Sequence, residues 1–283
     1  MKTTFVLATI LSTFVSASLL AQAPPAASTQ TPAPAANQPA TNRTARPVQW
    51  VNPKLPEGPG LTHHILKSSA LGHEVGYVVW TPPEYDANRK YPVVYFLHGS
   101  GGTESADAAG FSGWVARGIK MGLIPPALVV FPNGGMSGYR GDVAKMIIGE
   151  LIPLIDKNYP TLAKPESRAL AGFSMGGSGA VRLAIENPEL FAAAASMGGG
   201  ANAEMETAVE KSVPILKQRQ VGFLLINGEK DRPAAFENLA AKLNNAGIQA
   251  TVIVHPNLAH NLGLYYELSN ERMMKFLGDH LKK

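Results

Sequence analysis

The 283-residue sequence contains no cysteine. That absence excludes a disulfide framework, a thiol nucleophile, thiolate-bound zinc and iron–sulfur clusters, and leaves core packing as the source of stability. Charge is also sparse: Asp, Glu, Lys and Arg together make up 16% of the residues. The formal net charge of +4 comes from scattered Lys and Arg without a dense basic run, which reads as solvated surface and predicts no nucleic-acid partner. No internal repeat is visible. The apolar stretch Phe5 to Val15 is too short to span a bilayer, and no charged stop-transfer flank follows it.

What is present begins with that stretch. Lys2 followed by Phe5 to Val15 fits a signal peptide over residues 1–23, which predicts a secreted or periplasmic protein with no membrane span after cleavage. Ala21-Gln22-Ala23 and Val15-Ser16-Ala17 both offer cleavage points, and Pro24 disfavours the first. An uncleaved N-terminal anchor is the alternative. Residues 24–47 are rich in Pro and Ala and lack the apolar side chains that would offset ordering, so they read as an extended tether. Residues 48–283 are enough for one domain with a substantial core.

Within that domain, short apolar runs alternate with longer amphipathic ones. Strands are predicted over 73–82, 91–99, 127–135, 168–173, 191–197, 221–228 and 250–256. Helices are predicted over 143–159, 176–188, 234–247 and 265–281. The order predicts an α/β fold: a mostly parallel central sheet flanked by helices on both faces. In such sheets chemistry gathers beyond the carboxyl ends of the strands.

Gly172-Phe173-Ser174-Met175-Gly176 follows one strand and opens a helix. Glycines on both sides of a serine suit a tight turn that projects the hydroxyl above the sheet, making Ser174 a candidate nucleophile. A serine hydroxyl needs a histidine base held in one tautomer by a carboxylate. Asp231, with Glu229 as its local rival, and His260, with His255 as its rival, lie past later strands in the order serine, acid, histidine. The Met175 N–H at the helix start and the Ser100 N–H in His98-Gly99-Ser100-Gly101-Gly102 are the candidate oxyanion donors, with Gly101 next. Residues 131–139, "FPNGGMSGY", end another strand, which places Asn133 and Tyr139 beside Gly101 as candidate substrate contacts or members of an ordinary glycine turn. His98 is expected to pack under its loop. His63 and His64 are adjacent on a strand, point to opposite faces and read as surface residues rather than metal ligands; no metal or cofactor is predicted.

These residues together resemble the putative-esterase family of α/β-hydrolases, which includes feruloyl and acetylxylan esterases, S-formylglutathione hydrolases and mycolyltransferases. The resemblance runs from about Gly76 to His260 through "VVWTPPEYDANRKYPVVYFLHGSGG", "GELIPLIDKNYP" and "RALAGFSMGGSGA". It implies the α/β-hydrolase fold, with Ser174 as nucleophile, Asp231 as acid, His260 as base, and Ser100 and Met175 as oxyanion donors. It also implies an ester substrate, with acyl or feruloyl esters of polysaccharide favoured for an exported protein. Envelope acyl transfer and non-catalytic glycan binding remain the alternatives. Two features depart from the pattern: "HNLGLYY" follows His260 without an early acidic residue, and Asn133 stands where an aspartate is frequent. The stretch between Met197 and Val221 is short, so no large lid is expected over the cleft.

Overall fold

The computed structural model describes residues 47–281 apart from residue 55, so the expected signal peptide and all but the last residue of the expected tether lie outside the described residues. Eight strands form one sheet: β1 (Leu61–Ser68), β2 (His73–Trp80), β3 (Val93–Leu97), β4 (Leu128–Pro132), β5 (Arg168–Phe173), β6 (Ala193–Met197), β7 (Gly222–Gly228) and β8 (Ala250–His255). Their spatial order is β1-β2-β4-β3-β5-β6-β7-β8. The pairings β1–β2 and β2–β4 are antiparallel and all others are parallel.

The central strands β3 and β4 are continuously apolar, and β5, β6 and β7 nearly so, because both faces of the sheet are covered. Val93, Tyr95 and Leu97 of β3 point into one core layer, and Val94 and Phe96 into the other. The first layer is closed by α2 (Gly141–Met146), α3 (Ile152–Asn158), α4 (Met175–Glu186), α5 (Ala203–Arg219) and α6 (Ala234–Asn245). The second is closed by α1 (Ala108–Lys120) and α7 (Leu262–His280). This is the α/β-hydrolase arrangement, in which the parallel strands aim their carboxyl ends at one rim.

The structure adds two helices, α1 and α5, that the apolar pattern did not announce, and gives bounds to the strand that carries His63 and His64. β1 is an edge strand and half-exposed, so its alternation is weak. α1 contains Gly110, Gly113 and Gly118, which give it the composition of a loop, yet Phe111 and Val115 anchor it in the core. α5 fills the stretch after Met197; it carries Pro214 in its interior and buries only Met205, Val209 and Leu216, so its helical stripe is faint. The predicted helix over 143–159 is α2 and α3 joined by a π-helical stretch at Ile147–Leu151. His63 and His64 do face opposite ways, but both are half-buried rather than free at the surface. His63 Nε2 lies 2.8 Å from Glu104 Oε1, and His64 Nε2 lies 2.9 Å from Tyr159 Oη. No helix among the described residues is long and apolar enough to cross a membrane.

Candidate active site

Ser174 joins β5 to α4 with φ 57° and ψ −119°, a left-handed backbone that residues other than glycine seldom adopt. Close packing sustains it. A Cβ on Gly176 would lie 1.8 Å from the Leu97 carbonyl oxygen, and one on Gly172 would lie 2.5 Å from the Gly176 backbone. Only glycine lets strand and helix meet at that separation. The Ser174 N–H donates to the Met197 carbonyl over 2.8 Å, which ties the turn to the end of β6.

Three strand ends converge on this hydroxyl. Ser174 Oγ–H donates to His260 Nε2 over 2.9 Å, and His260 Nδ1–H donates to Asp231 Oδ2 over 2.7 Å. A carboxylate only accepts, so the proton sits on Nδ1 and Nε2 keeps the lone pair that faces the serine. The Phe173 ring stacks on the imidazole at 4.7 Å and fixes its plane. The arrangement can take a proton from the serine as it attacks an electrophile and hold the resulting imidazolium. The two rival residues are engaged elsewhere. His255 Nε2 lies 2.6 Å from Ser269 Oγ, and Glu229 Oε2 accepts from the Asn257 N–H over 2.8 Å.

Ser100 and Met175 line a cleft of about 510 Å³ beside the serine. Met175 opens α4, so its N–H has no acceptor within the helix and is free to meet negative charge. Gly101 is exposed, and its N–H points at Met136 Sδ, 3.1 Å away, across the loop of residues 133–138.

Asn133 and Tyr139, expected as substrate contacts, lie under the cleft instead. Both are fully buried. Asn133 Nδ2 donates to the Gln49 carbonyl over 2.9 Å and to Glu104 Oε2 over 2.6 Å, while its Oδ1 accepts from the Gly135 N–H over 2.9 Å. An aspartate could not donate to Glu104, which accounts for the amide at this position. Tyr139 sends its hydroxyl to the His98 carbonyl over 3.1 Å. His98 in turn donates from Nδ1 to the Gly99 carbonyl over 2.8 Å and accepts at Nε2 from the Gly134 N–H over 2.9 Å. Burial pushes its imidazole below the usual range, which keeps it neutral and able to make both bonds. These three residues clamp the two loops that carry Ser100 and Met136.

Other residues at the site left little trace in the sequence. Tyr265 of α7 is buried; its Oη–H donates to Asp231 Oδ2 over 2.6 Å and its oxygen accepts from the Gly228 N–H over 2.7 Å. The only signal was an aromatic pair soon after His260. Glu104 is 1% exposed and accepts from the Asn52 N–H over 2.7 Å as well as from Asn133. A lone acid in a Gly/Ser/Thr stretch gives no pattern to detect. Arg140 and Arg182 border the cleft and a hollow of about 760 Å³ that continues from it along α5. The segment after Met197 is therefore a wall of the groove rather than a bare connection. A separate apolar cavity of about 420 Å³ around Trp80 and Pro83 shares no residue with this groove. Among the described residues, no cluster of three His, Asp or Glu is placed to hold a metal ion.

Known proteins share this framework. An esterase of Mycobacterium tuberculosis is 34% identical over 155 residues, covering 51% of this chain and 33% of its own length. An endo-1,4-beta-xylanase/feruloyl esterase of Xylanibacter ruminicola is 32% identical over 182 residues, covering 60% of this chain and 24% of its own. The chain thus spans about a third or less of these curated relatives. Among solved structures, a ferulic acid esterase superposes with a TM-score of 0.68 at 22% identity, covering 78% of this chain and 98% of that one. At that identity the likeness shows the fold. The family model described as "Putative esterase" matches residues 68–253, more than half of the sequence and every strand from β2 to β7. On that match, the chain belongs to the putative-esterase family of α/β-hydrolases.

Proposed function

We propose that this protein is a serine carboxylic-ester hydrolase that works through an acyl-enzyme. The observation that carries the reading is the unbroken hydrogen-bond chain from Ser174 Oγ through His260 to Asp231 at the rim of the sheet. In the first step His260 Nε2 takes the Ser174 proton while Oγ attacks the ester carbonyl. The carbonyl oxygen becomes an oxyanion that the Met175 and Ser100 N–H groups receive. Collapse expels the alcohol, which leaves with the proton from His260. Water, deprotonated by the same nitrogen, then attacks the acyl-serine, and the acid departs as Ser174 regains its proton.

The substrates we propose are acyl or feruloyl esters carried by polysaccharide. The relatives named for feruloyl ester cleavage support this, as does a long open groove suited to a polymer. Export through a signal peptide in residues 1–23 belongs to the same proposal and places the enzyme where such polymers occur. The test is turnover of p-nitrophenyl acetate and of a feruloylated oligosaccharide by purified protein. Hydrolysis of both, lost in Ser174→Ala, supports the reading; no turnover of either above the Ser174→Ala control contradicts it.

A further inference from the structure

Arg182 stands on α4 eight residues beyond Ser174, about 12 Å along the helix axis, and helical side chains lean back toward the amino end. It lines both the cleft that contains Ser100 and Met175 and the hollow beside α5. The residue is 5% exposed, yet it forms no ion pair among the described residues. One nitrogen, Nη1, donates to the Gly138 carbonyl over 3.1 Å, and Nε has no partner. Burial, and then the neighbouring Arg140 cation, pull its pKa below the ordinary guanidinium value. Glu186 and Glu204 act on it from a distance without forming an ion pair, so the guanidinium keeps its charge and its Nε–H in the cavity wall can meet an arriving anion.

The surroundings narrow the anion. Arg140 is already paired with Glu204 at 3.0 Å, so it adds little free charge. Glu186 and Glu204 border the same hollow, with Thr207, Lys211 and Ser212. Two carboxylates would repel a doubly charged phosphate but can accept hydrogen bonds from hydroxyl groups. One buried guanidinium, with the exposed Lys211 ammonium at the rim and carboxylates and hydroxyls that accept from sugar hydroxyl groups, matches a sugar chain with a single carboxylate, which the planar guanidinium receives through two parallel hydrogen bonds.

We propose that Arg182 is the anchor of an acidic-sugar subsite, so that the preferred substrate is an ester-bearing polysaccharide with a uronic acid near the esterified residue. The proposal rests on the reading of the Ser174 cleft as an ester-cleaving site. Binding and chemistry are separated by working with the full chain as Ser174→Ala. Calorimetry compares a xylo-oligosaccharide bearing one glucuronic acid with the neutral xylo-oligosaccharide of the same backbone, at low and high salt. The acidic ligand should bind at least tenfold more tightly at low salt, and the ratio should fall toward one in the added Arg182→Met change. Arg182→Lys, which keeps the charge and loses the planar fork, should retain part of it. Equal binding of the two ligands overturns the proposal without any variant, and so does a ratio that survives in well-folded Arg182→Met. Turnover of p-nitrophenyl acetate by the unmodified enzyme is measured alongside. A preserved acidic preference without turnover removes the esterase reading and leaves the subsite; turnover without preference does the reverse.

Discussion

Tyr265 and His260 donate to one and the same oxygen of Asp231, Oδ2, over 2.6 and 2.7 Å. The tyrosine is itself anchored by the Gly228 N–H at the end of β7, so the carboxylate is held from α7 as well as from its own loop. The second donor also tempers how much negative charge Oδ2 presents to the imidazole.

Removing that hydroxyl should therefore be felt in catalysis. Losing a hydrogen bond to a charged group costs about 1.5–3 kcal/mol, which is about ten- to a hundredfold in rate if it is expressed in the transition state. Tyr265→Phe should lower kcat by that range with KM little changed. Steady-state kinetics and thermal melts of both proteins check this. A loss of thermal stability with kcat unchanged would assign Tyr265 a purely structural role.

The glycines of the fold divide by what a Cβ would meet. Gly176→Ala places a methyl 1.8 Å from the Leu97 carbonyl oxygen, so the serine turn must open. The expected cost is about 3 kcal/mol or more, with activity largely lost. Gly113 in the middle of α1 meets nothing within 4 Å. Gly113→Ala should stabilise by about 0.5–1 kcal/mol, because alanine loses less backbone freedom in a helix. Denaturant midpoints of the two variants should move in opposite directions.

Asp107 caps the start of α1 without a side-chain hydrogen bond, and burial raises its carboxyl from 3.8 to about 6. A folded-state value above the unfolded one means the folded protein binds the proton more tightly. The associated stability is complete below about pH 4 and is lost as pH rises through about 6. At one pKa unit per about 1.4 kcal/mol, the loss at neutral pH is at most about 3 kcal/mol. Asp107→Asn keeps a helix-capping residue and should raise Tm by a few degrees at pH 7.5 while changing it little at pH 4. Thermal melts across this window decide, and an equal change at both ends would contradict the assignment. Tyr139 and Tyr266 are the nearby titratable groups, and burial raises both well above that window.

The parallel part of the fold was legible because strands covered on both faces read as near-continuous apolar runs, as β3 and β4 do, and β7 as far as Asn227. The proximity of Ser174, Asp231 and His260 was legible for a related reason: each lies just past a strand, and parallel strands bring the residues at their carboxyl ends to one rim. The features that escaped the sequence are set by contacts between distant segments. Asn133 and Tyr139 lie past a strand end as Ser174 does, yet Glu104 and the His98 carbonyl draw them beneath the surface. Arg182 shows no pattern at all, since its meaning depends on α5 standing opposite, and Pro214 obscures that helix.

Ser174 as nucleophile and His260 as its base are tested by intact-mass and peptide analysis after treatment with a fluorophosphonate. One adduct per chain is expected, located on Ser174, absent in Ser174→Ala and formed at least a hundredfold more slowly in His260→Ala. Hydrolysis of p-nitrophenyl acetate by a protein whose adduct lies on another residue, or that takes up none, would contradict this assignment.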